Sequence, residues 1–308
     1  MGPKFVLLKI SLFGLFLFPL LARADTQEIA FAIQGNQLTW FEVANPSLQG
    51  DISVTGLPAN LNGNGLAYDP VFNRLLFVNS DAAQNHTLYS LSLTGFTYQP
   101  GVTINGGAIG TAGTIAFQTT TPELFGADFR NGSYYTLRNG TDSLVKVNFN
   151  GSGAISSFTE PNLPGTPTPF LGDIAFNLST NDFFMSGDNQ SGTPTAGTSR
   201  LWHYTTPDGV NFTSVAGSPI SPNTLRMNGM FFSLNGTLYG YQLGNDSYGT
   251  INQTTGAFTP LYTGTPFTGG GDLGPGFVTN VVPEPSTLAL IGFGSLLSFG
   301  LVRRLRSA

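Results

Sequence analysis

Hydropathy divides the 308-residue chain into two long apolar runs and a patterned middle. Residues 10–21 and 288–302 are almost continuously apolar. Between them, apolar runs of a few residues alternate with clusters of Gly, Asn, Ser, Thr and Pro, a spacing that suits half-buried strands rather than amphipathic helices.

The middle also repeats. Four stretches join a glycine to an apolar strand, a polar turn and a second apolar strand. They begin at Gly65-Leu66-Ala67-Tyr68, Gly113-Thr114-Ile115-Ala116-Phe117, Gly172-Asp173-Ile174-Ala175-Phe176 and Gly229-Met230-Phe231-Phe232. The paired second strands start near Leu75, Leu124, Phe183 and Leu238, and third strands follow near Leu88, Leu144, Leu201 and Tyr248. Turn chemistry such as Asp69-Pro70 and Asn235-Gly236 separates them.

Four short antiparallel strands every ~50 residues is the habit of a propeller blade. The expected fold is therefore all-β, a β-propeller-like repeat of about five four-stranded antiparallel blades. An N-terminal signal helix and a C-terminal hydrophobic helix would flank it. Small residues (Gly65, Ala67, Gly113, Ala116, Ala175) are expected beside the axis, where strands crowd. Residues 29–54 resemble a blade without its first strand, and 274–279 a first strand without its blade. Their pairing would close the ring and leave no edge. A β-sandwich or jelly roll of similar strand content is the competing architecture.

The ends carry transport signals. Lys4, the apolar run 10–21 and Ala22-Arg23-Ala24 have the order of a secretory signal, with Ala22 and Ala24 at the positions a signal peptidase reads. This divides the chain into a signal peptide (1–24), a β-propeller-like domain (25–280) and a C-terminal segment (281–308). In the last segment Pro283-Glu284-Pro285 precedes an apolar run from Leu288 to Val302, which Arg303, Arg304 and Arg306 follow. At ~1.5 Å per residue a 15-residue helix spans ~22 Å, short of a ~30 Å hydrocarbon core, and snorkelling arginines would hold it at the cytoplasmic face.

That tripartite order resembles the PEP-CTERM sorting signal of Gram-negative bacteria. The resemblance covers about the last 26 residues. It implies recognition of Pro283-Glu284-Pro285 by an exosortase, an inner-membrane-anchored precursor, and removal or exchange of the tail. It further implies a destination at the cell surface or in the extracellular matrix, with exopolysaccharide and biofilm as the setting.

Charge narrows the partners. Only 9% of residues are charged. Between Asp25 and Val282 six basic side chains stand against sixteen acidic ones, a net of −10. Such a body repels phosphate backbones, so no nucleic-acid partner is expected. Absence of cysteine removes disulfides and thiolate chemistry.

Catalytic signals are sparse. His86 falls in a polar stretch read as a turn, and His203 falls mid-strand beside Trp202. Neither has a second His at metal-binding spacing, and no Gly-x-Ser-x-Gly elbow exists. Asp182 with Asp188, and Asn245-Asp246, sit in Gly-rich segments that could offer oxygen ligands to Ca²⁺, but they match no EF-hand or Gly-Gly-x-Gly-x-Asp repeat and turn closure is the simpler use. Asp128, Asp173 and Glu123 are the carboxylates from which a hydrolytic pair could be drawn. Gly269-Gly270-Gly271 lacks the helix and Lys that phosphate binding needs.

No catalytic, metal or cofactor residue is assigned and no cofactor is expected. The expected function is a non-enzymatic, exported glycan- or protein-interaction module; the alternative is a secreted propeller hydrolase acting on glycans or lactones. Trp40, Trp202, Tyr134 and Tyr135 are the candidate sugar-stacking aromatics, with core packing an equal use for each. Mass spectrometry of the exported form should find it starting at Asp25 and lacking Arg303, Arg304 and Arg306; a product retaining both ends would overturn the reading of the termini.

Overall fold

The computed structural model describes residues 26–121, 123–165, 170–188, 199–220, 227–242, 246–264 and 271–280. The signal residues Ala22 and Ala24, the sorting residues Pro283, Glu284 and Pro285, and the tail from Leu288 through Arg306 lie outside the described residues.

Five antiparallel sheets form five propeller blades. Blade I contains β1 (Thr26–Gln34), β2 (Gln37–Glu42) and β3 (Gln49–Thr55). Blade II contains β4 (Gly63–Asp69), β5 (Arg74–Asn79), β6 (Ala83–Ser92) and β8 (Gly110–Thr121). Its long third-to-fourth connection sends β7 (Ile104–Ala108) back to pair in parallel with β3, tying blade II to blade I. Blade III runs β9 (Leu124–Arg130), β10 (Ser133–Arg138), β11 (Leu144–Phe149) and β12 (Ile155–Thr159). Blade IV runs β13 (Phe170–Phe176), β14 (Asp182–Asp188), β15 (Ser199–Thr205) and β16 (Thr213–Ser214). Blade V runs β17 (Met227–Phe232), β18 (Leu238–Gln242), β19 (Ser247–Ile251) and β20 (Phe258–Thr263).

The ring closes as the half-blades at the two ends predict. β21 (Asp272–Asn280) pairs antiparallel with β1, from Thr26↔Asn280 to Ile33↔Asp272, and becomes the innermost strand of blade I. Approach here is close: a Cβ at Gly276 would lie 1.3 Å from the Ile29 carbonyl oxygen.

Burial follows distance from the axis. All seven residues of β9, an innermost strand, are buried, whereas the outermost β12 and β20 are mostly half-buried or exposed. Apolar contact lies between blades rather than in one central core. Ile33, Trp40, Leu66 and Phe77 join blades I and II; Leu76, Ala127 and Val145 join II and III. Tyr135, Leu137 and Phe183 join III and IV, Phe184 and Met230 join IV and V, and Phe41 packs edge-on against Tyr248 across V and I. Each junction buries several large side chains, at roughly 1.5–3 kcal/mol apiece.

One part of the sequence reading is corrected. Gly113-Thr114-Ile115-Ala116-Phe117 is not an inner strand; it belongs to β8, the outer strand of blade II, and Ala116 is exposed. The inner strand of blade III is β9, where Ala127 takes the position expected of Ala116. Gly113 serves the rim instead: its φ is +138°, and a Cβ there would sit 3.2 Å from Ile155 of blade III. A small-residue motif marks a close approach without saying whether it occurs at the axis or at the edge.

The first-to-second-strand turns have a shared chemistry. Asn73, Asn131 and Asn181 sit at positive φ in blades II, III and IV, and Gly236 does so in blade V. Asn and Gly tolerate that left-handed conformation, which explains their recurrence at these reversals.

Gly276→Ala should destabilise the protein by about 3 kcal/mol or more, at or above the top of the overpacking range, because the new methyl meets backbone that cannot rotate away. Thermal unfolding is the check; an unchanged midpoint would refute closure through β21.

Candidate functional site

Strands at the axis have neighbours in their own blade on one side only. Their inward backbone N–H groups therefore need acceptors, since a buried unpaired amide costs about 1–3 kcal/mol. Aspartate and asparagine side chains supply them in a relay around the ring.

Asp272 of blade I accepts from the Leu66 N–H of blade II at 2.6 Å, and Asn64 of blade II accepts from the Gly126 N–H of blade III at 3.1 Å. Asp128 of blade III accepts from Phe176 N–H of blade IV at 2.7 Å. Asp173 of blade IV accepts from the Met230 N–H of blade V. Each of the four also accepts the N–H of the residue that follows it: Leu273, Gly65, Phe129 and Ile174. Junction V–I is spanned farther out, where Tyr248 donates to the Val43 carbonyl at 3.2 Å and Leu234 N–H donates to Glu28 Oε1 at 2.8 Å.

Two of these carboxyls meet. Asp173 and Asp272, both with no exposed surface, interact side chain to side chain, which disfavours ionising both at once. Burial pushes both above the usual carboxylate range, Asp272 to about 7, and the proximity of Asp272 raises Asp173 further. Tyr134 faces the pair from β10 and donates to the Gly65 carbonyl at 2.7 Å; burial holds its hydroxyl protonated. Asp128 is likewise pushed to about 7 by burial, against the opposing pull of its two backbone donors and of Arg130.

Gly126 makes room for this cluster. Its φ is +51°, and a Cβ there would lie 2.5 Å from Asp173 Cα.

Of the sequence candidates, Asp128 and Asp173 thus reach the axis, whereas Glu123 lies elsewhere, its carboxylate accepting from Asn139 at 2.6 Å. Asp272 is the axial carboxyl that sequence reading missed. Its signal was its position after the Gly-rich stretch and at the head of the closing strand. Asp182 binds His203 Nε2 at 2.8 Å, with the imidazole stacked on Phe184, and Asp188 accepts from the Ser199 hydroxyl. Asp246 accepts from the Tyr241 hydroxyl, while Asn245 lies outside the described residues. His86 is not in a turn: it is buried in β6, edge-on to Phe117, and bonded to the backbone of Asn79 and Ala83.

The four proposed stacking aromatics are also corrected. Trp40, Tyr134, Tyr135 and Trp202 are all buried between blades, so none offers a ring face to solvent. They fill the wedges that widen away from the axis.

Beyond the ends of the inner strands, a cavity of about 210 Å³ opens around the axis. Tyr68, Phe129, Phe176, Phe232 and Pro275 form much of its wall, with Leu178 and Leu234 on its turns. Asp128 is its acidic lining group, and that carboxylate already holds two N–H donors.

Residues 281–306 match the PEP-CTERM protein-sorting motif. No curated protein is similar to the chain in sequence. Among solved structures, one in a nidogen–laminin complex is similar with a TM-score of 0.50 at 12% identity, over 80% of this chain and 97% of that one. A provisional 6-phosphogluconolactonase from Bacteroides uniformis gives 0.45 at 14% identity, over 79% of this chain and 71% of that one. Virginiamycin B lyase from Staphylococcus aureus gives 0.40 at 12% identity, over 77% and 71%. The first likeness concerns fold alone, and the lower two carry no weight for chemistry.

The axial carboxyls make stability depend on pH. Folded Asp128, Asp173 and Asp272 hold protons that unfolded carboxyls lose near pH 3.9. For Asp128 and Asp272 that contribution is full below about pH 4 and is lost as pH rises through about 7, and Asp173, also raised by burial, acts in the same direction. The unfolding midpoint should therefore fall between pH 5 and pH 8. Asp272→Asn should flatten that slope, because Asn64 shows that one amide oxygen can accept both N–H groups. Asp272→Ala should cost roughly 2–6 kcal/mol by leaving two amides unpaired.

Proposed function

We propose that this chain is an exported cell-surface or extracellular-matrix protein whose propeller is a non-enzymatic interaction module for a glycan or protein partner. The sorting motif at 281–306 marks an exported protein processed by an exosortase, and the fold is a propeller. In this reading Leu288 to Val302 holds the precursor in the inner membrane, with Arg303, Arg304 and Arg306 on the cytoplasmic side. Ala22 and Ala24 guide signal cleavage, and exosortase acts at Pro283-Glu284-Pro285. The mature protein then meets exopolysaccharide in the biofilm matrix.

The observation that carries the non-enzymatic half is the use of the axial acids. Hydrolysis needs carboxyls that reach substrate, one to donate a proton and one to act as base or nucleophile. Asp173 and Asp272 have no exposed surface, and each already accepts two backbone N–H groups. Their raised pKa values follow from burial and mutual contact. Partner contact falls to the Asn-, Ser- and Thr-rich loops, which supply hydrogen bonds without net charge.

The exported form should co-sediment with exopolysaccharide or matrix proteins from the producing cells and release no product from glycans or lactones. Asp173→Asn should leave that association unchanged. Turnover of a glycan or lactone that disappears in Asp173→Asn would replace this reading with the hydrolase.

A further inference from the structure

Exposed apolar side chains are concentrated at one end of the propeller. Seven large apolar residues stand exposed among the described residues, and five of them (Val71, Phe72, Leu178, Val210 and Leu234) occupy turns at the end where the inner strands finish. Val71, Leu178 and Leu234 each expose about two thirds of their surface, at 64%, 67% and 64%. Leu178 and Leu234 flank the axial cavity, whose walls are themselves aromatic. Rim acids at this end are already engaged. Asp69 pairs with Arg74, Asp182 with His203, Glu28 with Leu234 N–H, and Asp208 with the N–H groups of Val210 and Asn211.

The chain leaves by the same end. β21 passes the cavity at Pro275 and Gly276 and finishes at Asn280, which pairs with Thr26. Only residues 281–287 separate Asn280 from the apolar run that opens at Leu288. Seven residues at ~3.3–3.6 Å each reach at most ~25 Å, so a tail inserted in a bilayer holds this end of the propeller facing the membrane at short range. The exposed apolar side chains of this rim gain at a lipid surface by entering the headgroup boundary, about 5–10 Å deep, while its acids, Asp208 among them, stay at the hydrated headgroup level.

We infer that the turns bearing Val71, Phe72, Leu178, Val210 and Leu234 form a lipid-contacting face that seats the tethered precursor on a zwitterionic bilayer surface. This rests on the reading of residues 288–302 as the membrane tether. Its consequence is orientation: the blade axis stands along the membrane normal.

The chain has no cysteine, so a single introduced thiol can be labelled without competition. Full-length Leu178→Cys and Leu234→Cys, each carrying an environment-sensitive fluorophore, would be reconstituted in phosphatidylcholine vesicles. Leu261→Cys on the outer strand β20 serves as the reference. The expected result is co-flotation of all three, with blue-shifted emission and quenching by nitroxide-labelled lipid at 178 and 234 but not at 261. Co-flotation with 178 and 234 quenched by aqueous iodide as readily as 261 would overturn the lipid-contacting face while leaving the tether intact. Protection from both quenchers would put protein, such as a second copy, on that face and overturn the lipid assignment. Failure to co-float would refute the tether itself, and this inference with it.

Discussion

Acceptance of inner-strand amides by Asx side chains of the preceding blade is the constraint on which this propeller depends. Strands that converge on an axis cannot pair with one another as a sheet does, yet their N–H groups are buried there. Asp272, Asn64, Asp128 and Asp173 resolve this at four of the five junctions, each reaching the next blade's inner strand while bracing its own strand through a second bond. The carboxyls stay buried because burial is compensated by these hydrogen bonds, and it raises the pKa of Asp128, Asp173 and Asp272 so that the neutral form is favoured.

Outside that ring the blades are held by five separate apolar seams. This division of labour explains the composition. Large aromatics fill the wedges that open with radius, glycines allow contact where backbones converge, and hydroxyl and amide side chains take the surface. With so few charges, solubility is left to neutral polar groups, and the scarce ionic groups are spent on turns and on the axis. Arg74 is an example: it pairs with buried Asp69 at 2.8 Å while lying over the rings of Phe72 and Phe149, so one cation secures a turn and a blade contact together.

The same geometry shapes the functional reading. A carboxyl cluster at a propeller axis has the outward features of a catalytic centre, including raised pKa values and close pairing. Asp128, Asp173 and Asp272 each accept two backbone N–H groups, which gives the cluster a structural role in joining the blades. What remains open to partners is the surface of turns, and its two aspects differ: amide- and hydroxyl-rich loops over much of the body, and an apolar rim where the chain exits.

The sequence by itself determined the β content and pointed to about five blades with a ring closed by the two end segments, because period, turn residues and the two half-blades are local signals; the structure chose the propeller over a sandwich and set the count at five. The sequence determined the sorting motif for the same reason, since order along the chain is the whole of that signal. Only the tertiary structure decided which of two adjacent apolar strands lies inside: Gly113 to Phe117 and Leu124 to Phe129 have alike patterns, and the choice depends on which neighbour each strand meets. Only the tertiary structure joined Asp173 to Asp272 and buried Trp40, Trp202, Tyr134 and Tyr135. Residues far apart along the chain meet through the ring's closure, and whether an aromatic ring faces water or a neighbouring blade is set by the blade packed against it.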